Sequence, residues 1–219
     1  MDPARLRIKP LIRLLRKHYP RARTALEFAN PLQILVATIL AAQSTDKLVN
    51  TVTPGLFRIY PTAEAFARAD RAELERMIHS TGFFRNKAKH IIGAAQRIVA
   101  AYGGAVPDSM EELVTLPGVA RKTANIVLSS GYGKAEGIAV DTHAGRLSRR
   151  LGLSREEDPV KVERDLMALV PKDDWLDFNF LLVEHGRAVC TARNPDCPGC
   201  FLKRLCPSAV KFFPELKGK

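Results

Sequence analysis

The stretch 116-LPGVARKTANIVLSSGYGKAEGIAVDTH-143 decides how the chain is read. Leu116-Pro117-Gly118-Val119 marks the end of one helix and a tight turn. Pro117 fixes φ, and Gly118 can take the positive φ that such a turn requires. Arg121, Lys122 and Thr123 then open a second helix whose apolar positions include Ala124, Ile126, Val127 and Leu128. Two helices joined this closely direct the unpaired N–H groups of the second N-terminus together, and a positive helix end of that kind suits a phosphate. Asp141 follows at a further helix start. A lysine at a helix start is ordinarily a solvated charge, and an aspartate before Thr-His is ordinarily an N-cap. Neither residue identifies a reaction by itself.

On both sides of this stretch the pattern is helical. Ile8, Leu11, Ile12 and Leu15 fall at helical spacing with Arg and Lys on the remaining face, which reads as a docked amphipathic helix rather than a DNA arm. Asn30-Pro31 starts a helix, since Asn caps and Pro suits the first turn. The segment LQILVATILAAQ that follows is apolar nearly all round, as a central buried helix should be. It stops at Gln43-Ser44-Thr45-Asp46, which reads as a helix end followed by a Thr45 cap, with Gln43 projecting into a ligand groove as the other possibility.

Thr62 opens the next helix, and Asp70 with Glu73 forms a capping-box pattern closed by Gly82. Phe83 and Phe84 come next, beside Arg85 and Lys87. Aromatics so placed are core residues, or else wedges for stacked bases. A helix carrying Ile91, Ala95 and Ile98 runs to Gly103-Gly104, and Asp108 with Glu111 reads as another capping box. Later helices start at Asp158-Pro159 and after Asp173-Asp174. No period-2 strand and no repeat is evident. The expected fold class is all-α.

The 219 residues suit one large domain or two small ones, and the 46% hydrophobic, 26% charged composition is that of an ordinary globular chain. Lys and Arg outnumber Asp and Glu by 34 to 23, so polyanions are the favoured partners. No apolar run approaches the roughly 20 residues of a membrane span. The basic N-terminal segment lacks a cleavage site, so a cytoplasmic protein is expected.

All four cysteines fall in 190-CTARNPDCPGCFLKRLC-206, spaced C-x6-C-x2-C-x5-C. A compact cluster of this kind in such a chain points to metal rather than disulfides. A four-thiolate zinc site and a [4Fe–4S] cluster both fit, although zinc ribbons usually show two C-x2-C knuckles and only one is present. Arg187, Arg193, Lys203 and Arg204 interleave the ligands and would make the loop a basic one.

Taken together these motifs resemble one family. LPGVARKTA is similar to the helix-hairpin-helix of the endonuclease III family of DNA base-excision glycosylases. VDTH resembles its catalytic aspartate segment, the cysteine spacing resembles its [4Fe–4S] loop, and LAAQSTD resembles its LSAQ-type segment. The resemblance implies two all-α domains with a cleft between them. A six-helix domain with the hairpin would span about residues 24–135, and residues 1–23 with 136–219 would form a discontinuous domain ending in the cluster loop.

It further implies a damaged nucleotide flipped out of duplex DNA. Lys122 would be the nucleophile and Schiff-base lysine, and Asp141 would stabilise the sugar and assist proton transfer. Cys190, Cys197, Cys200 and Cys206 would hold a [4Fe–4S] cluster. Gln43 would fill the gap left by the flipped nucleotide, and Phe83 stands where the family often has a leucine wedge. Leu116, Gly118, Ala120, Arg121, Thr123 and His143 would complete the DNA contacts. Ala120 replaces a second hairpin glycine, and if that position needs a positive φ the alanine costs roughly 1 kcal/mol.

The expected protein is a monomer without a membrane partner, acting on duplex DNA with a damaged base or an abasic site. It would be a glycosylase and AP lyase for oxidised pyrimidines of the thymine glycol type. A monofunctional glycosylase of the same superfamily is the neighbouring reading, disfavoured by Lys122 and by the chain's end soon after Cys206. A non-catalytic DNA-binding module is the third, and it gives no reason for Asp141.

Overall fold

A computed structural model describes residues 3–216. The expected discontinuous domain therefore extends at both ends beyond the described residues. The chain divides into two compact units, Thr24–Glu136 and Met1–Arg23 with Gly137–Lys219. Helices numbered along the chain are α1 (Pro3–His18), α2 (Pro31–Ala41), α3 (Asp46–Ile59), α4 (Ala63–Ala67), α5 (Arg71–Ile78) and α6 (Phe84–Tyr102). After them come α7 (Met110–Leu113), α8 (Arg121–Ile126), α9 (Thr142–Arg150), α10 (Pro159–Leu169), α11 (Trp175–Ala188) and α12 (Ala209–Phe212). No strand occurs among the described residues, so the fold is all-α.

In the first unit α2 is the core element. Every residue from Ile34 to Leu40 is buried, and the one hydroxyl among them, on Thr38, donates to Ile34 O at 2.7 Å. Each large side chain fully buried there contributes about 1.5–3 kcal/mol. The helix starts as its sequence dictates, with the Asn30 side chain accepting from Gln33 N and Pro31 filling the first position. Thr45, Thr62 and Asp70 cap α3, α4 and α5 through Leu48 N, Ala65 N and Glu73 N. The Glu73 carboxylate accepts instead from Tyr60 Oη at 3.4 Å. Gly82 and Gly103 stop their helices at φ 71 and 59.

The cap ahead of α7 lies one residue beyond the sequence expectation. Ser109 accepts from Glu112 N and donates to the Glu112 carboxylate, so the box is Ser109–Glu112. Asp108 pairs with Lys134 instead. Both residues can cap, and only the long-range lysine draws Asp108 away.

The second unit packs α1, α9, α10 and α11 around Leu11, Leu15, Leu147, Leu166, Phe178 and Leu182. Ile8, Leu11, Ile12 and Leu15 are the buried face of α1, as their spacing predicts. Asp158 caps α10 through Val160 N and Lys161 N. Asp174, which stands directly ahead of α11, makes no side-chain cap bond. It pairs with Arg16 of α1, which also forks onto Asp177.

Candidate functional site

The hairpin lies in the unit spanning 24–136. Its first helix, α7, is only four residues long, and a turn from Val114 to Ala120 separates it from α8. Gly118 has φ +78, and a Cβ there would lie 2.7 Å from His90 Cβ, so neither the backbone angle nor the space admits a side chain cheaply. Ala120, in contrast, is extended at φ −93 and ψ 171, a conformation open to any residue. The conditional cost attached to the alanine therefore does not arise. Leu116 and Val119 are core residues, leaving only their backbone groups to meet a ligand. Lys122 is exposed on the first turn of α8, flanked by half-buried Arg121 and Thr123.

Gln43 and Phe83 belong to the same unit and share a peculiarity. They are the non-glycine residues with positive φ among those described, at 54 and 48. Gln43 is exposed just past the end of α2, where Thr45 caps α3 as expected. Phe83 is 62% exposed, whereas Phe84 tucks against His79 with ring centroids 4.5 Å apart. The two aromatics thus divide the roles that the sequence left open. A pocket of about 170 Å³ has Gln43, Phe83, Asn86, His90, Gly118 and Thr123 in its wall.

Asp141 and the cysteines belong to the other unit. Asp141 caps α9, accepting from Ala144 N at 2.7 Å. His143 Nδ1 accepts from Arg146 Nη2 at 3.1 Å, and burial, partly opposed by Asp141, holds its pKa below the ordinary histidine value. Arg146 also donates to Gly186 O and Cys190 O. One turn on, Arg150 donates to Cys190 Sγ at 3.3 Å, Thr191 O at 2.7 Å and Ala192 O at 2.7 Å.

Cys190, Cys197, Cys200 and Cys206 line one cavity with Leu147, Leu151, Val189 and Leu202, and none is in a disulfide. Burial raises the pKa of Cys197 and Cys206 and pushes that of Cys200 up to about 11. Leu202 N donates to Cys200 Sγ at 3.3 Å, and His185 Nε2 lies 3.5 Å from the same sulfur. The His185 ring, tied to Tyr19 Oη at 3.1 Å, has its pKa drawn down to about 4 by burial and then by His18. Among the described residues no three His, Cys, Asp or Glu side chains are gathered as a single metal ion requires.

Sequence reasoning passed over Arg146, Arg150 and His185, which tie α9 and α11 to the cysteine loop. The i, i+4 spacing of the two arginines directly after Asp141 was the available signal, because it puts both on one helix face. It also passed over Lys87, read as a basic neighbour of the aromatics but buried at 4% exposure.

Residues 36–172 match the model of the HhH-GPD superfamily of base excision DNA repair proteins. Hairpin, all-helical fold and this match define a helix-hairpin-helix protein of base-excision repair. An endonuclease III from Synechocystis is 55% identical over 209 residues, 95% of each chain. One from Bacillus subtilis is 45% identical over 194 residues, 88% of each. A solved non-covalent endonuclease III–DNA complex superposes with a TM-score of 0.89 at 40% identity, covering 94% of this chain and 97% of that one. The chain belongs to the endonuclease III family.

Proposed function

We infer that the protein is a base-excision DNA glycosylase with AP lyase activity, acting on duplex DNA that carries a damaged base or an abasic site. The observation that carries the reading is the exposed Lys122 on the first turn of α8, directly after the left-handed Gly118 turn, in a chain of the endonuclease III family. A DNA-binding hairpin has use for a lysine as a charge, but a lyase needs one as a nucleophile.

In the proposed reaction the neutral Lys122 amine attacks the sugar C1′, forming a C–N bond as the glycosidic bond breaks and the base departs. Opening of the sugar ring leaves a Schiff base, which acidifies the C2′ proton. Loss of that proton sends the electron pair into the C2′–C3′ bond and expels the 3′ phosphate, completing a β-elimination. Asp141 stabilises the cationic sugar and shuttles protons. Oxidised pyrimidines of the thymine glycol type are the proposed substrates, and a monomer is the proposed working form. No helix among the described residues is long and apolar enough to cross a membrane.

A [4Fe–4S] cluster is the proposed group for the cysteine cavity. The donor set fits it, since four thiols face one apolar cavity while Arg150 and Leu202 N offer N–H groups to two of the sulfurs. Such donors stabilise thiolates that are otherwise costly in apolar surroundings. Cys190, Cys197, Cys200 and Cys206 would hold it, and its contribution would be to fix the basic loop that carries Arg193, Lys203 and Arg204.

The decisive experiment is borohydride trapping on a duplex with a single thymine glycol, using wild type and Lys122→Ala. The expected result is a covalent adduct with wild type that the variant lacks. Free base released without an adduct would mean a monofunctional glycosylase. Binding with neither product would favour a recognition module.

A further inference from the structure

Gln43 and Phe83 hold a backbone conformation that L-residues with long or bulky side chains avoid, and such strain persists only where neighbouring structure enforces it. Both follow a helical C-terminus. Gln43 comes two residues after α2 ends at Ala41, and Phe83 two residues after the 3₁₀ turn His79–Thr81. C-terminal carbonyls lack intrahelical partners and attract cations.

One buried cation serves both ends. Lys87 Nζ donates to Leu40 O and to Thr81 O, each at 2.7 Å. Lys87 N donates to Phe83 O at 3.1 Å, so the residue grips the Phe83 turn from its backbone as well as its side chain. The residue as a whole is only 4% exposed, and it stands in the wall of the same pocket as Gln43 and Phe83. Burial also pulls its pKa below the usual lysine value. A methionine would fill the same space without desolvating a charge, so packing alone does not account for a lysine here.

We propose that Lys87 is a positioning residue that bridges Leu40 O and Thr81 O and thereby presets Gln43 and Phe83, before DNA binds, for entry into the base stack. The inference rests on the proposed function, because it takes Gln43 and Phe83 as the residues that occupy the duplex. Preorganisation lowers the cost of inserting both side chains at once. It has nothing to contribute on a substrate with no stack to enter.

The test compares wild type and Lys87→Met in single-turnover strand cleavage at a preformed abasic site, once in a duplex and once in a single strand. A 2-aminopurine opposite the site reports unstacking, and urea midpoints report folding. The expected result is a fall of at least tenfold on the duplex, with a weaker 2-aminopurine rise on binding and a single-strand rate within twofold of wild type. An equal loss on both substrates would reduce Lys87 to a structural residue, and an unchanged duplex rate would overturn the proposal outright. Should Lys87→Met not fold, Lys87→Arg takes its place, since the larger guanidinium cannot reproduce both lysine bonds. The same skewed ratio is expected, and an unchanged ratio refutes the role. Wild type that cleaves neither substrate would refute the AP lyase reading, and this inference with it.

Discussion

The Asp141 carboxylate accepts a hydrogen bond from the Ala144 backbone N–H at 2.7 Å, so the proposed catalytic aspartate is also the N-cap of α9. Capping and catalysis ask different things of that side chain. A cap needs an oxygen acceptor, which asparagine also supplies, whereas stabilising a cationic sugar needs the charge.

Asp141→Asn is therefore expected to keep its urea midpoint near wild type while base release falls at least a hundredfold. Asp141→Ala should lose activity and about 1 kcal/mol of stability together, the usual cost of a lost cap. An active Asp141→Asn enzyme would remove the charge from the mechanism.

The two small residues of the hairpin should both lose stability on exchange, but for different reasons. Gly118→Ala meets both a positive φ and the His90 side chain, so a destabilisation of about 1–3 kcal/mol and weaker DNA binding are expected. Ala120→Gly restores the family's second glycine, but at φ −93 there is no strain to relieve. It should only add unfolded-state freedom and cost up to about 1 kcal/mol. Urea titration and DNA-binding isotherms of the two variants check both statements.

His143 gives acid sensitivity of a defined sign. Its folded-state pKa lies below 6.5, chiefly through burial, so the unfolded chain binds the proton more readily. The stability tied to the neutral ring is fully present above pH 6.5 and is lost as the pH falls below that value. His143→Gln should lessen the drop in urea midpoint between pH 7.5 and 5.5, leaving the share that His185, with its pKa near 4, contributes in the same range. An identical drop in both proteins would assign the acid sensitivity to other groups.

Removal of the proposed cluster should act locally. Purified protein should be brown, with iron and acid-labile sulfide in equal amounts; stoichiometric zinc would contradict this. Stripping the iron leaves protonated thiols in an apolar cavity, with the Cys200 pKa near 11. Hydrogen exchange should then rise around residues 190–206 and the Arg150 contacts, with the α2 core of the other unit keeping its protection.

Features encoded over a few residues were readable directly. Asn30, Thr45, Thr62, Asp70 and Asp158 cap where their sequence places them, because a cap bonds two or three residues away. Gly118 was legible because a Leu-Pro-Gly turn calls for a positive φ. Where two caps compete, local reading loses its force: Ser109 displaced Asp108, whose partner Lys134 is 26 residues distant.

By itself, then, the sequence determined most of the longer helices and their caps, the buried face of α1, the core character of α2, the hairpin turn and the clustering of the cysteines. All of these follow from spacing, capping and turn chemistry within a few residues. Tertiary structure alone decided that Lys87 is a buried clamp on a carbonyl 47 positions away, and that Arg146 and Arg150 reach the cysteine loop across 40 to 44 positions. It also decided that Ala120 is unstrained and that Phe83, not Phe84, is exposed. A lysine or arginine reads the same in sequence wherever it falls, and only the packed chain fixes which carbonyl, thiol or solvent its donors meet.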